Sequence, residues 1–111
     1  MDLVVGAYRF SAAFPKEELY GLKSQLRKAA VSVPANIAEG HGREHLGDYL
    51  HHLSMANGSL MELETHCLIA ERLSYVSPTD LSPVLNHAAD VGRMLAGLTA
   101  SLKRHRRTPG T

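Results

Sequence analysis

The sequence predicts an all-α protein, an antiparallel up-down bundle of four helices with a short first helix. Leucine and alanine are abundant, whereas aromatic residues make up only 5% of the chain and tryptophan is absent, which favours helix over sheet. Three long stretches place apolar residues alternately three and four positions apart, the spacing of one helix face. The connections between these stretches are short, and short connections make successive helices antiparallel neighbours.

Length and composition indicate one domain of a globular protein. The chain has 111 residues, 44% of them hydrophobic and 21% charged. We assign residues 1–104 to the bundle and residues 105–111 to a flexible basic tail. No apolar run approaches the roughly 20 residues that span a bilayer, and no basic signal-peptide segment opens the chain. The one cysteine, Cys67, falls on an apolar stripe, so we expect a buried free thiol, a cytoplasmic location and no membrane partner.

The first helix is expected over residues 2–13. It is short and already amphipathic at its first residues, which suggests that the start at Met1 truncates it. Phe14 ends the helix, because a residue that precedes proline is pushed out of the α region. Glu17 and Glu18 are then expected in the first turn of the second helix, where carboxylates suit the helix dipole. The expected apolar side of the first helix consists of Leu3, Val4, Ala7, Tyr8 and Ala12.

The second helix carries an apolar stripe that passes through Pro34. The helix therefore either kinks at this proline or breaks and restarts, and the unbroken spacing of the stripe favours a kink. Gly40 and Gly42 are expected to end the helix in a tight turn, because glycine tolerates the left-handed conformation. The apolar positions of this stripe are Leu19, Leu22, Leu26, Ala29, Ala30, Val33 and Ile37.

The third helix is predicted from about Glu44 to Leu73. Gly58, near its middle, costs roughly 1 kcal/mol relative to alanine and suggests a place where another backbone comes close. Several apolar residues lie off the main stripe of this helix. Either they form a second packing surface for self-association, or the helix is buried on all sides. These residues are Met55, Met61, Leu68 and Ile69.

The fourth helix has two possible beginnings. Ser77 can cap it with Pro78 as its first residue, or Ser82 can do so with Pro83. Apolar residues then follow at helical spacing over residues 81–102. Short loops bring this helix back along the third helix, which completes the bundle.

Pairing the second and third helices about the glycines between them brings apolar residues against apolar residues. Two polar residues, Asn57 and Glu64, flank the predicted seam and need hydrogen-bond partners. We predict that Glu64 pairs with Lys23 or Gln25.

The net charge of +1 conceals segments of alternating sign. Residues 21–43 carry +3, residues 44–76 carry −4 and residues 77–111 carry +3. Such segregation either steers partners or lets adjacent helices complement each other. The cations of the two basic segments are candidates for salt-dependent, sequence-independent contacts to phosphates. These candidate residues are Lys23, Arg27, Lys28, Lys103, Arg104, Arg106 and Arg107.

The last four of these cations also have a simpler interpretation. They suit the negative end of a solvated helix dipole. In addition, no aromatic residue alternates with them, whereas proteins that bind single strands usually stack bases on aromatic rings.

Catalytic and metal-binding patterns are weak. His45, Asp48 and His52 lie on one face of the third helix, but a metal site in a bundle core takes ligands from several helices. Asn36 and Glu39 have no recognisable nucleophile with an oriented base beside them. We therefore expect no enzyme activity, no metal and no other cofactor. The polar residues around Pro34 are expected to tie the second helix to its neighbours.

Two strings, AAVSVPANIAEGHGR and LSMANGSLMELETHCLIAERLSYV, resemble the small four helix bundle protein family. This family is also called the 23S rRNA intervening-sequence protein family, because some members are encoded within insertions in bacterial 23S rRNA genes. The resemblance covers roughly residues 8–104. Relatives usually carry further residues before the position of Met1, in agreement with a truncated first helix. The motif residues are Pro34, Asn36, Glu39, Gly40, Asn57, Gly58 and Glu64.

The resemblance implies a homo-oligomer, a five-fold ring, with no established enzyme activity. A related group comprises accessory subunits of diversity-generating retroelements, which bind nucleic acid and a reverse transcriptase through a basic surface of the ring. We therefore predict a non-enzymatic oligomeric bundle that contacts RNA, DNA or a nucleic-acid-bound protein through its basic residues. The alternative is a purely structural or protein-interaction module with no affinity for nucleic acid, which the near-neutral total charge favours.

Overall fold

The computed structural model describes residues 2–107 and contains helices without any strand in that range. The prediction of an all-α four-helix protein with a short first helix is confirmed. The last helix continues to Arg107, three residues beyond the predicted domain boundary. Met1 and residues 108–111, the end of the predicted tail, lie outside the described residues. The elements are α1 (Asp2–Ser11), a 3₁₀ turn (Lys16–Glu18), α2 (Leu22–His41), α3 (Leu46–Arg72) and α4 (Pro78–Arg107).

Each helix packs on its two neighbours in the order α1, α2, α3, α4 and back to α1, and the α2–α3 contact is the most extensive. The helices differ greatly in length, since α4 has 30 residues and α1 has 10. The molecule is consequently elongated, with extents of 56 × 24 × 19 Å. Among residues 2–107, no helix combines the length and the apolar character that a membrane crossing requires.

The predicted stripes of α2, α3 and α4 form the core. Leu26, Leu53, Leu60, Leu63 and Leu95 are the largest of its fully buried side chains. The free thiol of Cys67 is also fully buried among them, as predicted.

The buried side of α1 agrees with the prediction at Leu3 and Ala7 and differs from it at other positions. Tyr8 and Ala12, expected to be apolar contacts, are exposed. The structure turns a neighbouring face inward, because Phe10 and Phe14 pack edge to face with ring centroids 5.8 Å apart. Phe14 also lies 5.6 Å from the ring of Tyr75. The buried residues of this segment are Leu3, Ala7, Phe10, Ser11 and Phe14.

The second helix begins later than predicted. Glu17 and Glu18 belong to the separate 3₁₀ turn, and Leu19, expected on the apolar stripe, is 47% exposed. The reason is a set of hydrogen bonds at Glu18. Its Oε1 accepts from the backbone N–H of Leu22 at 3.3 Å, and its Oε2 accepts from the Tyr75 hydroxyl at 2.7 Å. The helix therefore starts only after this carboxylate.

Helix α2 continues through Pro34 without a break, so the break-and-restart alternative is excluded. On either side of the proline the stripe keeps its phase. Ala30 and Val33 are buried before it, and Ile37 packs against the core after it.

The close approach of α2 to α3 lies at Gly40, which is inside α2 and buried. A Cβ atom at Gly40 would stand 2.6 Å from Cβ of His52 and 3.1 Å from Cδ1 of Tyr49. Gly42 ends the helix with φ −80° and ψ −3°, so the predicted left-handed turn is absent there. The prediction for Gly58 is also wrong: it is exposed, and no atom lies within 4 Å of the position its Cβ would take.

The first of the two predicted beginnings of α4 is confirmed. The helix starts at Pro78, and Pro83 lies inside it. The hydroxyl of Ser77 accepts from the backbone N–H of Asp80 at 3.2 Å, and the Asp80 carboxylate accepts from the backbone N–H of Ser77 at 3.2 Å. This reciprocal pair satisfies two backbone donors at the helix start.

Replacing Gly40 by alanine should destabilise the protein, because the new methyl group meets Cβ of His52, an atom that a rotamer change cannot move. Overpacking of this kind costs about 1–3 kcal/mol, against a gain of about 1 kcal/mol for replacing a helical glycine by alanine. Gly58→Ala is the matched control, since its methyl group enters open space and should stabilise. Urea unfolding should therefore shift the two midpoints in opposite directions. Stabilisation by both substitutions would contradict the close contact.

Candidate nucleic-acid interface

A groove of about 530 Å³ on the surface of α2, beside α1, gathers three of the predicted cations. Lys23 and Arg27 lie one turn apart on the same face of α2, because positions four apart are neighbours on a helix surface. Lys28 follows directly after Arg27 and also lines the groove. Two tyrosines join them, Tyr8 from α1 and Tyr20 from the link before α2. We call this surface the α1–α2 groove; its residues are Tyr8, Leu19, Tyr20, Lys23, Ser24, Arg27, Lys28, Val31 and Ser32.

Arg27 holds α1 against α2. Its Nε donates to Oγ of Ser11 at 2.8 Å, and one terminal nitrogen donates to the backbone carbonyl of Tyr8 at 3.1 Å. Its guanidinium carbon lies 4.4 Å from the centroid of the Tyr8 ring, within the range of a cation–π contact. The hydroxyl of Ser11 in turn donates to the carbonyl of Ala7 at 2.8 Å. The last turn of α1 is thus fixed by a residue that the sequence suggested only as a phosphate ligand.

The two lysines of the groove are differently situated from Arg27. Lys28 is exposed and Lys23 is partly exposed. Among the described residues, neither ammonium group forms an ion pair with a carboxylate. Their charges are therefore directed to solvent and available to an anionic ligand.

The tyrosines of the groove are the residues that the sequence reasoning missed. Tyr20 is 90% exposed, and Tyr8 is 42% exposed. The sequence predicts Tyr8 on the buried side of α1. A signal for Tyr20 was present, because it does not fit the three-four spacing of the α2 stripe and precedes Gly21. Cations and exposed aromatic rings in one groove are typical of surfaces that bind single-stranded nucleic acid.

The remaining predicted cations lie elsewhere. Lys103 is exposed at a different groove, between α3 and α4, where it neighbours Leu50 near the start of α3. The 3₁₀ turn before α2, close to Lys23, lies at the other end of α3. Its Glu18 carboxylate accepts a hydrogen bond from Tyr75, which follows the end of α3. Because α3 has 27 residues and is about 40 Å long, the two sets of cations lie toward opposite ends of the bundle. The other members of the second set are Arg104, Arg106 and Arg107, in the last turns of α4.

Polar residues of the family motif link α2 to α3. Asn36 donates from Nδ2 to the carbonyl of Ser32 at 2.9 Å and to its hydroxyl at 3.0 Å, and its Oδ1 lies 3.2 Å from Nδ1 of His52. Since Oδ1 can only accept, Nδ1 of His52 carries the proton. The hydroxyl of Ser59 donates to that of Ser32 at 2.8 Å. The expectation that Asn36 ties α2 to a neighbouring helix is confirmed.

His52 lies in this seam, 9% exposed, rather than in a metal site with His45 and Asp48. Across the described part of the chain, no three or more His, Cys, Asp or Glu side chains are placed to hold a metal ion.

Two acidic residues of the motif, Glu39 and Glu64, do not form the predicted contacts with a neighbouring helix. Glu39 pairs with Arg43 one turn further along the chain, at 2.9 Å and in exposed positions, where such pairs contribute roughly 0.3–0.5 kcal/mol. Glu64 forms no ion pair or hydrogen bond with Lys23 or Gln25 among the described residues, so that prediction is wrong. Glu64 itself is partly exposed.

The thiol of Cys67 is unreactive. Burial, and then the negative charge of Glu64 one turn away, raise the pKa of Cys67 to about 12. The thiol therefore stays protonated, whereas the thiolate is the reactive form.

Asn57 is the other polar residue for which the sequence predicts a need for a hydrogen-bond partner. It is exposed to water.

Comparison with known proteins gives a family and a fold. The family model described as 23S rRNA-intervening sequence protein matches residues 1–97. A solved structure of a protein with unknown function, from the S23 ribosomal protein family of Bacteroides thetaiotaomicron, is similar with a TM-score of 0.76. The two chains are 19% identical over 86% of this chain and 87% of that chain, so this similarity concerns the fold. No curated protein matches the chain.

Replacing Arg27 by lysine should lower the free energy of unfolding by about 1–2 kcal/mol, because lysine keeps the charge but lacks the planar group that reaches Ser11 and Tyr8 together. Lys28→Gln, one position further along α2, is the control and should change stability by no more than about 0.5 kcal/mol. Chemical unfolding followed by circular dichroism measures both. Wild-type stability for Arg27→Lys would show that the contacts of Arg27 with Ser11 and Tyr8 contribute nothing to the free energy of unfolding.

Proposed function

Because this chain belongs to the 23S rRNA-intervening sequence protein family, we propose that it is a non-enzymatic, self-associating helical bundle that binds nucleic acid in the α1–α2 groove. The observation that carries this proposal is the meeting of Lys23 and Lys28 with Tyr8 and Tyr20 in one groove. The lysines supply unpaired positive charge to the phosphates, and the tyrosines supply π faces to the bases.

The basic end of α4 is a weaker candidate for the same role. Lys103 borders a groove whose other residues are aliphatic, small or uncharged polar, with no aromatic ring among them: Leu50, Leu53, Ser54, Asn57, Leu95, Ala96, Thr99 and Ala100. The end of α4 can therefore add long-range attraction, while base contacts fall to the α1–α2 groove.

The absence of catalysis is supported by the hydrogen bonds of the polar residues between α2 and α3. The hydroxyls of Ser32 and Ser59 bond to each other, and His52 bonds to Asn36, so none of these hydroxyls faces the imidazole as a nucleophile faces its base. The protonated thiol of Cys67 is buried and cannot act as a nucleophile. A free thiol also fits the cytoplasm, where thiols stay reduced.

Self-association is supported by the outer face of α3, away from the core. Met55, Met61, Leu68 and Ile69 are 37–48% exposed there, so the alternative of an α3 buried on all sides is wrong within one chain. Gly58 lies on the same face with open space above it. A second copy would remove these apolar side chains from water. The family resemblance implies five copies.

The logarithm of the affinity for a single-stranded oligonucleotide should fall linearly with the logarithm of salt concentration. Replacing Lys23 and Lys28 together by glutamine should lower the slope of this dependence by roughly 1.4, since each phosphate contact contributes about 0.7 for single strands. The measurement is fluorescence anisotropy with nuclease-treated protein.

The matched control replaces Arg72 and Arg93 by glutamine, which removes the same charge from exposed positions outside the groove. This control should leave the slope within about 0.3 of the wild type, as expected of charges that contact no phosphate. A chain that ends at Leu102 tests the alternative. If that chain loses binding while the Lys23/Lys28 variant keeps it, the basic end of α4 is the site and the proposal fails.

The paired substitution Met61→Glu and Leu68→Glu should convert the assembly to single chains of 12.1 kDa, because charged side chains would have to be buried in the contact between copies. Met94→Glu is the control, since Met94 is equally apolar and 52% exposed but lies on α4. Light scattering coupled to size exclusion reads the mass. A wild-type protein of 12.1 kDa, or an assembly indifferent to the paired substitution, would contradict self-association through α3.

A further inference from the structure

We infer that the α1–α2 groove is selective for single-stranded nucleic acid, and that Tyr20 is the residue on which an unpaired base stacks. This inference rests on the proposed function and adds to it the form of the nucleic acid and the residue that recognises it. It is carried by the exposure of Tyr20, by the way its backbone is held and by its cationic neighbours.

Tyr20 offers a ring that the fold does not use. With 90% of its surface exposed, it makes no contribution to the core. The Tyr8 ring, in contrast, already carries the Arg27 guanidinium 4.4 Å from its centroid. Of the two groove tyrosines, Tyr20 is therefore the one whose π face is open to a ligand.

The backbone that carries Tyr20 is held on both sides. Before it, the carboxylate of Glu18 accepts from the Tyr75 hydroxyl at 2.7 Å, which anchors the turn to the loop between α3 and α4. After it, the same carboxylate accepts from the N–H of Leu22 at 3.3 Å, and the N–H of Gly21 donates to the Glu18 carbonyl at 3.2 Å. An aromatic side chain presented on an ordered backbone loses less conformational entropy on binding.

The surroundings of Tyr20 match a nucleotide. Lys23, three residues further along, brings positive charge to the same groove, and Lys28 extends it by more than one turn of α2. A groove of about 530 Å³ falls within the range of sites that take small ligands, roughly 300–1,000 Å³. It can therefore hold a base together with its phosphate.

A duplex cannot use this arrangement. Its bases are stacked on one another and show only their edges in the grooves, so a protruding tyrosine ring finds no free base face. A duplex would meet the lysines alone. Single strands present both a phosphate and an unstacked base, which is why the pairing of Tyr20 with Lys23 and Lys28 favours them.

The test uses the full-length protein, a fluorescein-labelled twelve-nucleotide uridine strand and a blunt RNA hairpin of equal charge whose loop is a non-nucleotide linker, so that the hairpin has no unpaired base. Both probes are titrated at one low salt concentration. Tyr20→Leu keeps an apolar side chain but removes the π face, and should weaken binding to the uridine strand roughly five- to 150-fold, the range for base–aromatic stacking. Tyr20→Phe is the matched control and should bind as the wild type does. Hairpin binding should be weaker and indifferent to both substitutions.

A second readout follows from the absence of tryptophan in the chain. Tyr20→Trp keeps the stacking surface and introduces one tryptophan, whose emission the uridine strand should quench and the hairpin should not.

The outcomes separate the inference from the proposed function. Equal affinity for hairpin and strand, or wild-type affinity for Tyr20→Leu, overturns the inference while groove binding through the lysines stands. Loss of self-association in Tyr20→Leu, with unchanged affinity for the strand, also overturns it and assigns Tyr20 to a contact between copies. Failure of the wild type to bind either probe overturns the proposed function itself.

Discussion

Helices α2 and α3 meet at Gly40 so closely that a Cβ atom there would stand 2.6 Å from Cβ of His52. The polar links from Asn36 to His52 and from Ser32 to Ser59 hold the same two helices in register. Every other element is built on this pair. Helix α4 packs on α3, and α1 packs on α2 and α4. A shift of the α2–α3 register would therefore displace the surface on which α1 rests, and with it the α1–α2 groove.

The groove combines stabilising and exposed charges within two turns of one helix. Arg27 holds the end of α1, and its donors are directed to Ser11 and Tyr8. Lys23 and Lys28, which line the same groove, have no carboxylate partner among the described residues. This division explains how a chain with a net charge of only +1 can present a local anion-binding surface. Distribution, rather than total charge, decides what the surface attracts.

The fold was largely predictable because apolar spacing directly reports which helix face is buried. Leu26, Leu53 and Leu60 lie in the core as the three-four spacing indicated. The start of α2 was not predictable, since it depends on a hydrogen bond between the side chains of Glu18 and Tyr75, which are 57 positions apart. The roles of Gly40 and Gly58 depend on distances of a few ångströms between helices, which no pattern along the chain contains.

The candidate site was predictable only in part, for the same reason. Charge alone identified Lys23, Arg27 and Lys28, but charge does not distinguish a residue that clamps a helix from one that faces solvent. Tyr20 became recognisable only when the structure showed its ring outside the core and beside these cations.

Photo-crosslinking locates the nucleic-acid contact on the protein surface. A uridine oligonucleotide containing 4-thiouridine would be irradiated with the wild-type protein, and the crosslinked peptides identified by mass spectrometry. Binding in the α1–α2 groove predicts crosslinks within residues 17–28, which contain Tyr20 and the groove lysines. Crosslinks confined to the end of α4, from Lys103 onward, would contradict it and assign the contact to the opposite end of the bundle.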